Sequence, residues 1–416
     1  MIKMKSNGVE WIGEIPEDWD VSKIGQLYEE RRTKVSDTVY PPLSVTMQGI
    51  LPQLENAAKS DAHDDRKLVL KGDFAINSRS DRRGSCGISN FNGSVSLINT
   101  VLHPKTEMNP IYYNWLFHSF RFSDEYYKNG HGIVDDLWTT SWSEMKKIFI
   151  PLPPKETQQC IASYLDKKCS KIEETIQNQQ QVIEKLKAYK QSLITEAVTD
   201  KVKIENGKIC GEYESYKDSG VEWIGKIPSE WEVKKLKYSS KVRNEKYSEN
   251  YGILKYFGLE NIESHSAKFV ETVNTYDIAQ SQICKKNDII FGKLRPYLAK
   301  VYEVPIDECC SSEFAVFYDF EGCNKYFKYL FLSYGFITIV DASTYGTKMP
   351  RANIDFIKNM SIPVPCFETQ KTITYFLDKK CTAIDTAIEQ KQNLIEKLTE
   401  YKKSLIYECV TGKKEI

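Results

Sequence analysis

The chain has 416 residues, in which 57 Lys and Arg balance 57 Asp and Glu. That length supports two or three domains with real cores, and the balance excludes both a general polycation for nucleic acid and an acidic tail. The 11 cysteines are scattered without a CxxC pair, no signal-peptide pattern follows Met1 and no apolar run is long enough for a membrane span, so the expectation is a reduced, cytoplasmic protein without membrane contact.

The first element is GVEWIGEIPEDW at 8–19, and it returns as GVEWIGKIPSEW at 220–231, a shift of 212 positions. Trp11/Trp223, Ile15/Ile227 and Trp19/Trp231 supply apolar area, while Gly13/Gly225 and Pro16/Pro228 set a turn, so the motif reads as a clasp (1–27 and, with a linker, 202–239).

A variable block follows at 28–149 and a second at 240–361. KGDFAINSR at 71–79 resembles KNDIIFGKLR at 286–295: a polar turn carrying an Asp, a short strand, then Ser or Lys with Arg. The blocks are therefore expected to share a fold and differ in surface. Asn109-Pro110 marks a helix start, and Cys309-Cys310 reads as strand interior.

The segments 150–201 and 362–413 match at the same shift, with just over half of their positions identical. Prolines (Pro151, Pro153, Pro154; Pro363, Pro365) mark the break before each helix. Apolar residues then recur at spacings of four and three: Leu165, Cys169, Ile172, Ile176, Ile183, Leu186, Leu193 and Ala197, with Leu377, Cys381, Ile384, Ile388, Ile395, Leu398, Leu405 and Cys409 in the second copy. This is a coiled-coil stripe, and some 40 residues make a rod of about 60 Å. Gln179/Lys391 and Lys190/Lys402 interrupt both seams at equivalent places. Either they fix register or their aliphatic stems carry the polar ends out of the seam.

Intramolecular pairing costs the least entropy, and a block of about 120 residues between the helices carries the chain back, which favours an antiparallel pair. A pseudo-twofold, nearly circular molecule follows, with the first clasp near the C-terminal helix end. The six segments are thus 1–27, 28–149, 150–201, 202–239, 240–361 and 362–416.

Phosphate-binding GxxxxGK[ST], Gly-rich dinucleotide turns, HExxH and Cys/His metal spacings are all missing. Glu232-Val233-Lys234 imitates a nuclease Glu-x-Lys, but its duplicate Asp20-Val21-Ser22 lacks the lysine. No active site is expected.

The doubled G-V-E-W-I-G-x-I-P-x-x-W, the doubled I-P-x-P…E-T-Q…L-D-K-K-C helix starts, and KLRPYL with SSEF (293–298, 311–314) resemble the specificity subunit of a type I restriction–modification system over nearly the whole chain. The resemblance implies an α/β (α+β) chain: two target recognition domains of mixed α/β fold on an antiparallel coiled-coil spacer. It implies no catalysis in this chain. Each domain would read one half of a bipartite, asymmetric site in double-stranded DNA. Two methyltransferase subunits and restriction/translocase subunits would be the partners, carrying S-adenosylmethionine, ATP and Mg²⁺. Phosphate binding usually draws on Lys and Arg, so a neutral chain either clusters its cations or borrows charge from partners. A coiled-coil scaffold binding only proteins is the alternative.

Base-reading side chains need donors and acceptors on protruding loops. Block one offers Ser78, Arg79, Ser80, Arg82 and Arg83, with Thr46 and Gln48 on a second loop. Block two offers Lys293, Arg295 and Tyr297, then Tyr345, Lys348, Arg351 and Asn353. Each is a candidate for base or phosphate contact, or for pairing with local acids such as Asp81 and Glu313.

Overall fold

The computed structural model describes residues 3–53, 64–79, 82–132, 138–199, 201–205, 207–211, 213–248, 254–272, 281–346 and 348–416. The chain forms two compact units, Met1–Gln179 with Gln392–Ile416, and Gln180–Lys391. Each unit holds one variable block, one clasp, and one end of both long helices. Among the described residues no helix is long and apolar enough to cross a membrane.

In the first unit a four-stranded antiparallel sheet has the order Cys86–Ile88, Phe74–Asn77, Asn99–Pro104, Tyr28–Glu30. The central strand Phe74–Asn77 is buried at every position, as a strand covered on both faces must be. The helices Pro110–His118 and Phe120–Lys128 pack an aromatic layer onto it, with Phe74 and Phe117 ring centroids 4.5 Å apart. Asn109 starts the first of them by accepting from the backbone N–H groups of Ile111 and Tyr112 at 2.9 and 3.1 Å, which satisfies two orphan donors.

The second unit repeats this sheet in the same order: Val301–Glu303, Ile289–Gly292, Phe314–Tyr318, Lys241–Arg243. Helices Asn324–Leu332 and Tyr334–Ala342 cover it. The smaller sheets diverge in pairing as well as in surface. In the first unit Arg66–Val69 is central, between Gly93–Val95 and Lys34–Val35. In the second Glu308–Cys310 is central, and its neighbour Tyr256–Phe257 runs parallel to it. Cys309 and Cys310 are buried in that strand.

The long helices are Lys155–Val198 and Phe367–Val410, 44 residues each, so each runs about 66 Å. In the first unit the start of one packs on the end of the other: Leu165, Cys169 and Ile172 share a core with Leu405, Ile406 and Cys409. In the second unit Leu193, Ile194 and Ala197 share a core with Leu377, Cys381 and Ile384. The pairing is therefore antiparallel in both.

Two of the seam lysines, Lys190 and Lys402, end in ion pairs. Lys190 is buried and bonded to Asp385 in the second unit, and Lys402 is bonded to Glu173 in the first. The two pairs sit at equivalent places in the duplicated helices, 212 positions apart.

In the first unit Trp11, Ile15 and Trp19 are buried with Leu405, Cys409 and Val410. The Tyr407 hydroxyl lies 3.1 and 3.2 Å from the Trp11 and Ile12 carbonyls, and Lys413 donates to the Ile12 carbonyl at 2.7 Å. In the second unit Ile224, Ile227 and Trp231 share a core with Ala197 and Val198, while Trp223 stays half-buried against the Phe336 ring. Lys234, of the nuclease-like triplet, is held by Glu232 and Glu321, both at 2.7 Å, inside a strand paired with Ser361–Val364.

Candidate nucleic-acid interface

Both central strands rise from a turn pinned by an aspartate. Asp73 takes two bonds from Arg31, at 2.7 and 3.0 Å, and one from the Leu70 N–H at 2.8 Å. Asp288 does the same with Arg243, at 2.8 and 3.2 Å, and with the Lys285 N–H at 2.8 Å. A bidentate Arg–carboxylate fork fixes direction as well as distance. Each strand therefore delivers its far end, and the loop beyond it, in a defined place.

In the first unit that loop carries Ser78 to Arg83. Ser78 is buried, its hydroxyl bonded to the Ile98 carbonyl and its own carbonyl accepting from the Thr140 N–H at 3.0 Å. Ser78 is thus a staple of the loop, which removes it as a reader, because its hydroxyl is spent and screened from solvent. Arg79 and Arg82 are exposed. Ser80 lies outside the described residues. Arg83 is exposed, but its guanidinium sits 5.1 Å over the Tyr127 ring and 3.5 Å from Asp124, so its charge is partly engaged.

Thr46 and Gln48 form the turn of a hairpin, Leu43–Thr46 with Gly49–Pro52. The Thr46 hydroxyl closes it, donating to the Gly49 carbonyl at 2.9 Å and accepting from the Gln48 N–H at 3.1 Å. Gln48 is left exposed at the tip. The hairpin packs against the strand that follows the arginine loop: a Cβ on Gly87 would lie 2.8 Å from the Gly49 backbone.

In the second unit the strand end delivers Lys293, Arg295 and Tyr297. Lys293 is half-buried, and burial holds its ammonium below the usual lysine value against the pull of Glu313. Arg295 is exposed with φ 51°, a left-handed backbone that is costly for a non-glycine residue and marks a constrained site. Its N–H donates to the Pro350 carbonyl at 2.8 Å. This joins the loop to the one carrying Tyr345, Lys348 and Arg351: Leu294 pairs with Arg351, and Tyr345 with Arg351. Tyr297, Tyr345 and Lys348 are exposed.

Arg351 donates through Nη2 to Glu313 at 2.6 Å, so a local acid engages part of its charge while the side chain stays 59% exposed. Asn353 caps the helix Ile354–Asn359, accepting from the Asp355 N–H at 2.8 Å. Its side-chain oxygen is thereby committed to the fold, while the residue itself stays exposed.

Among the described residues Arg79, Arg295 and Lys348 are exposed cations with no ion pair. They stand at the ends of equivalent strands or on the loop joined to one. Loops with protruding cations, an exposed amide (Gln48) in the first unit and exposed phenols (Tyr297, Tyr345) in the second can bind a polyanion and can form hydrogen bonds with base edges. Among the same residues no group of three or more His, Cys, Asp or Glu is placed to hold a metal ion.

Comparison with known proteins points one way. The sequence model of one family, the type I restriction modification DNA specificity domain, matches twice, at 16–188 and 228–398. The chain is similar to the MjaVIII type I restriction enzyme specificity subunit of Methanocaldococcus jannaschii, 25% identical over 96% of this chain and 93% of that protein. It is also similar to the EcoDI specificity subunit of Escherichia coli, 21% identical over 96% and 89%. Among solved structures, one chain of a type I R-M system aligns with a TM-score of 0.72 at 12% identity, over 96% of this chain and 99% of that one. The HsdS subunit from Thermoanaerobacter tengcongensis aligns with a TM-score of 0.52 at 13% identity, over 96% and 98%. At these identities the structural likeness speaks to the fold.

Proposed function

The chain belongs to the type I restriction modification DNA specificity domain family, with two copies of the domain in tandem, and from that premise we propose that it reads a split, asymmetric site in double-stranded DNA, one half with each block. It is a specificity subunit, the non-catalytic recognition component of a type I restriction–modification complex. The observation that carries the split-site reading is one frame used twice with different tips. The Arg–Asp fork, the buried strand and the loop beyond it recur in both units, but the loops carry Arg79 and Arg82 in one and Lys293, Arg295 and Tyr297 in the other. Two different tips on one frame suit two different half-sites.

The paired helices set the distance between half-sites. They also offer equivalent outward faces, with Tyr189 and Tyr401 each about half exposed at matching positions. Duplicated faces suit two copies of one partner, a methyltransferase subunit, with restriction/translocase subunits joining them. S-adenosylmethionine, ATP and Mg²⁺ act on those partners, and the complex works in the cytoplasm. The chain has zero formal net charge, so the partners contribute part of the grip on phosphate.

The test is a methylation map: the chain is co-expressed with its cognate methyltransferase subunit and host DNA is sequenced for N6-methyladenine. A chain-dependent motif of two unlike halves around a fixed gap is the expected result. Methylation independent of the chain overturns the reading.

A further inference from the structure

The loop that carries Arg79 is joined to chain far downstream by a rung of backbone pairing. Arg79 lies opposite Thr139, and Thr139 lies opposite His131, both antiparallel. Thr139 and His131 exchange both of their N–H···O bonds, each at 3.0 Å. Residues directly opposite one another in such pairing put their side chains on one face, with Cβ atoms about 5 Å apart. Arg79, Thr139 and His131 therefore form a row. Arg79 and His131 are exposed, and Thr139 is half-buried.

The second unit builds the same row. Leu294 lies opposite Arg351, and Arg351 opposite Tyr345. The next residue is anchored alike in both units: Thr140 N–H to the Ser78 carbonyl at 3.0 Å, and Ala352 N–H to the Lys293 carbonyl at 2.9 Å. Thr139 and Arg351 are separated by the 212-position shift of the duplication. The frame is kept, but all three side chains differ: guanidinium, hydroxyl and imidazole in one row, isobutyl, guanidinium and phenol in the other.

The first row is rigid from behind. Trp138 Nε1 donates to the Tyr127 carbonyl at 2.7 Å. The Thr140 hydroxyl donates to the Tyr126 carbonyl at 2.9 Å, and the Tyr126 hydroxyl to the Thr140 carbonyl at 3.1 Å. Trp138 also packs so closely on Gly130 that a Cβ there would fall 2.6 Å from its ring nitrogen. Variable side chains on an anchored backbone meet the requirement for precise recognition.

We propose that His131 and Thr139, together with Arg79, are specificity-determining residues for one half-site, and that Tyr345 and Arg351, with Leu294, hold the corresponding places for the other. The proposal rests on the specificity-subunit reading above. A guanidinium matches guanine O6 and N7, a hydroxyl serves as donor or acceptor, and a neutral imidazole offers one of each. The first row thus suits a G·C-containing stretch of the major groove. In the second, Leu294 suits a thymine methyl.

The experiment maps N6-methyladenine in hosts expressing the full chain with its cognate methyltransferase subunit, as wild type and as Arg79→Ala, His131→Ala, Thr139→Ala and Thr139→Val. The expected result is that every variant loses about fivefold to a hundredfold discrimination at one or two neighbouring base positions. Those positions fall in the same half-site for all, and the other half-site stays unchanged. An unrelaxed motif in both His131→Ala and Thr139→Ala, beside a split wild-type motif, overturns the row and leaves the specificity-subunit reading standing. No split motif with the wild type overturns that reading, and the row falls with it. Where Thr139→Ala fails to fold, the isosteric Thr139→Val decides by the same criterion.

Discussion

The ammonium of Lys190 donates to both carboxylate oxygens of Asp385, at 2.8 and 2.9 Å, across the seam of the long helices in the second unit. Lys268, from the recognition block, reaches the same carboxylate at 3.6 Å. The Lys190 side chain is 9% exposed and that of Asp385 20%, so the pair is largely desolvated. Removing one partner of such a pair leaves the other charge buried, while replacing both by apolar groups can be neutral. Lys190→Ala is expected to cost about 3 kcal/mol, read as a lower urea midpoint, and Lys190→Met with Asp385→Leu to recover most of it. The equivalent Lys402→Ala faces a Glu173 that is 59% exposed, so it should cost under about 1 kcal/mol. Equal costs for the two lysines would show that burial does not govern the pair.

At the C-terminal end Gly412 has φ 72°, and a Cβ there would lie 2.4 Å from Pro16 Cδ. Gly225 has φ 73° with open space around it. Gly225→Ala should therefore cost only the left-handed backbone term, about 1 kcal/mol. Gly412→Ala carries the clash as well and should lower the melting temperature clearly more. Similar melting temperatures for the two variants would rule out close docking of this end on the clasp.

Glu308 is buried in the central strand of the second unit's smaller sheet. Burial pushes its carboxyl above the usual carboxylate value, and Lys255 pulls it partly back. A folded-state value above the unfolded one means that the folded chain holds this proton more tightly. The stabilisation is complete below the unfolded value and fades as pH rises through the folded one. Glu308→Gln should therefore raise the melting temperature near neutral pH and lose that advantage near about pH 4. A gain independent of pH would point to packing instead.

Arg79 and Arg295 stand beyond equivalent strands in different units. Arg79→Ala should weaken one half-site and Arg295→Ala the other, each by about 1–3 kcal/mol of discrimination where a base is read. If either residue holds only phosphate, binding falls evenly across sequences and the salt dependence becomes shallower. Methylation maps and salt titrations of binding separate the two.

Inserting one heptad into each long helix keeps the seam in phase and adds about 10 Å. With DNA alongside, the recognised gap should grow by about three base pairs, at 3.4 Å per pair. An unchanged gap in the methylation motif would show that the helices do not measure it.

Much of this architecture is legible before any coordinates. The duplicated Trp motif and helices are a sequence fact, and Leu165, Cys169, Ile172 and their counterparts are buried where their spacing puts them. The match between 71–79 and 286–295 is faint, yet it marks the pinned turn and central strand of both blocks, because a buried Asp and a run of core residues tolerate little change. The smaller sheets leave no such trace, since their strands are short and pair differently in the two units.

The sequence by itself determined the repeat, the helical stripe and the loops rich in hydrogen-bonding side chains, because these depend on spacing and residue type along a local stretch. Only the tertiary structure decided what each polar side chain faces. Ser78 gives its hydroxyl to Ile98, Asn353 its oxygen to the N–H of Asp355, Arg351 one guanidinium nitrogen to Glu313 and Lys190 its ammonium to Asp385. Three of those four partners lie 20 to 195 residues away in the chain. A polar residue announces its bonding capacity in the sequence, but folding brings the partner that uses it, and what remains uncommitted is left for the ligand.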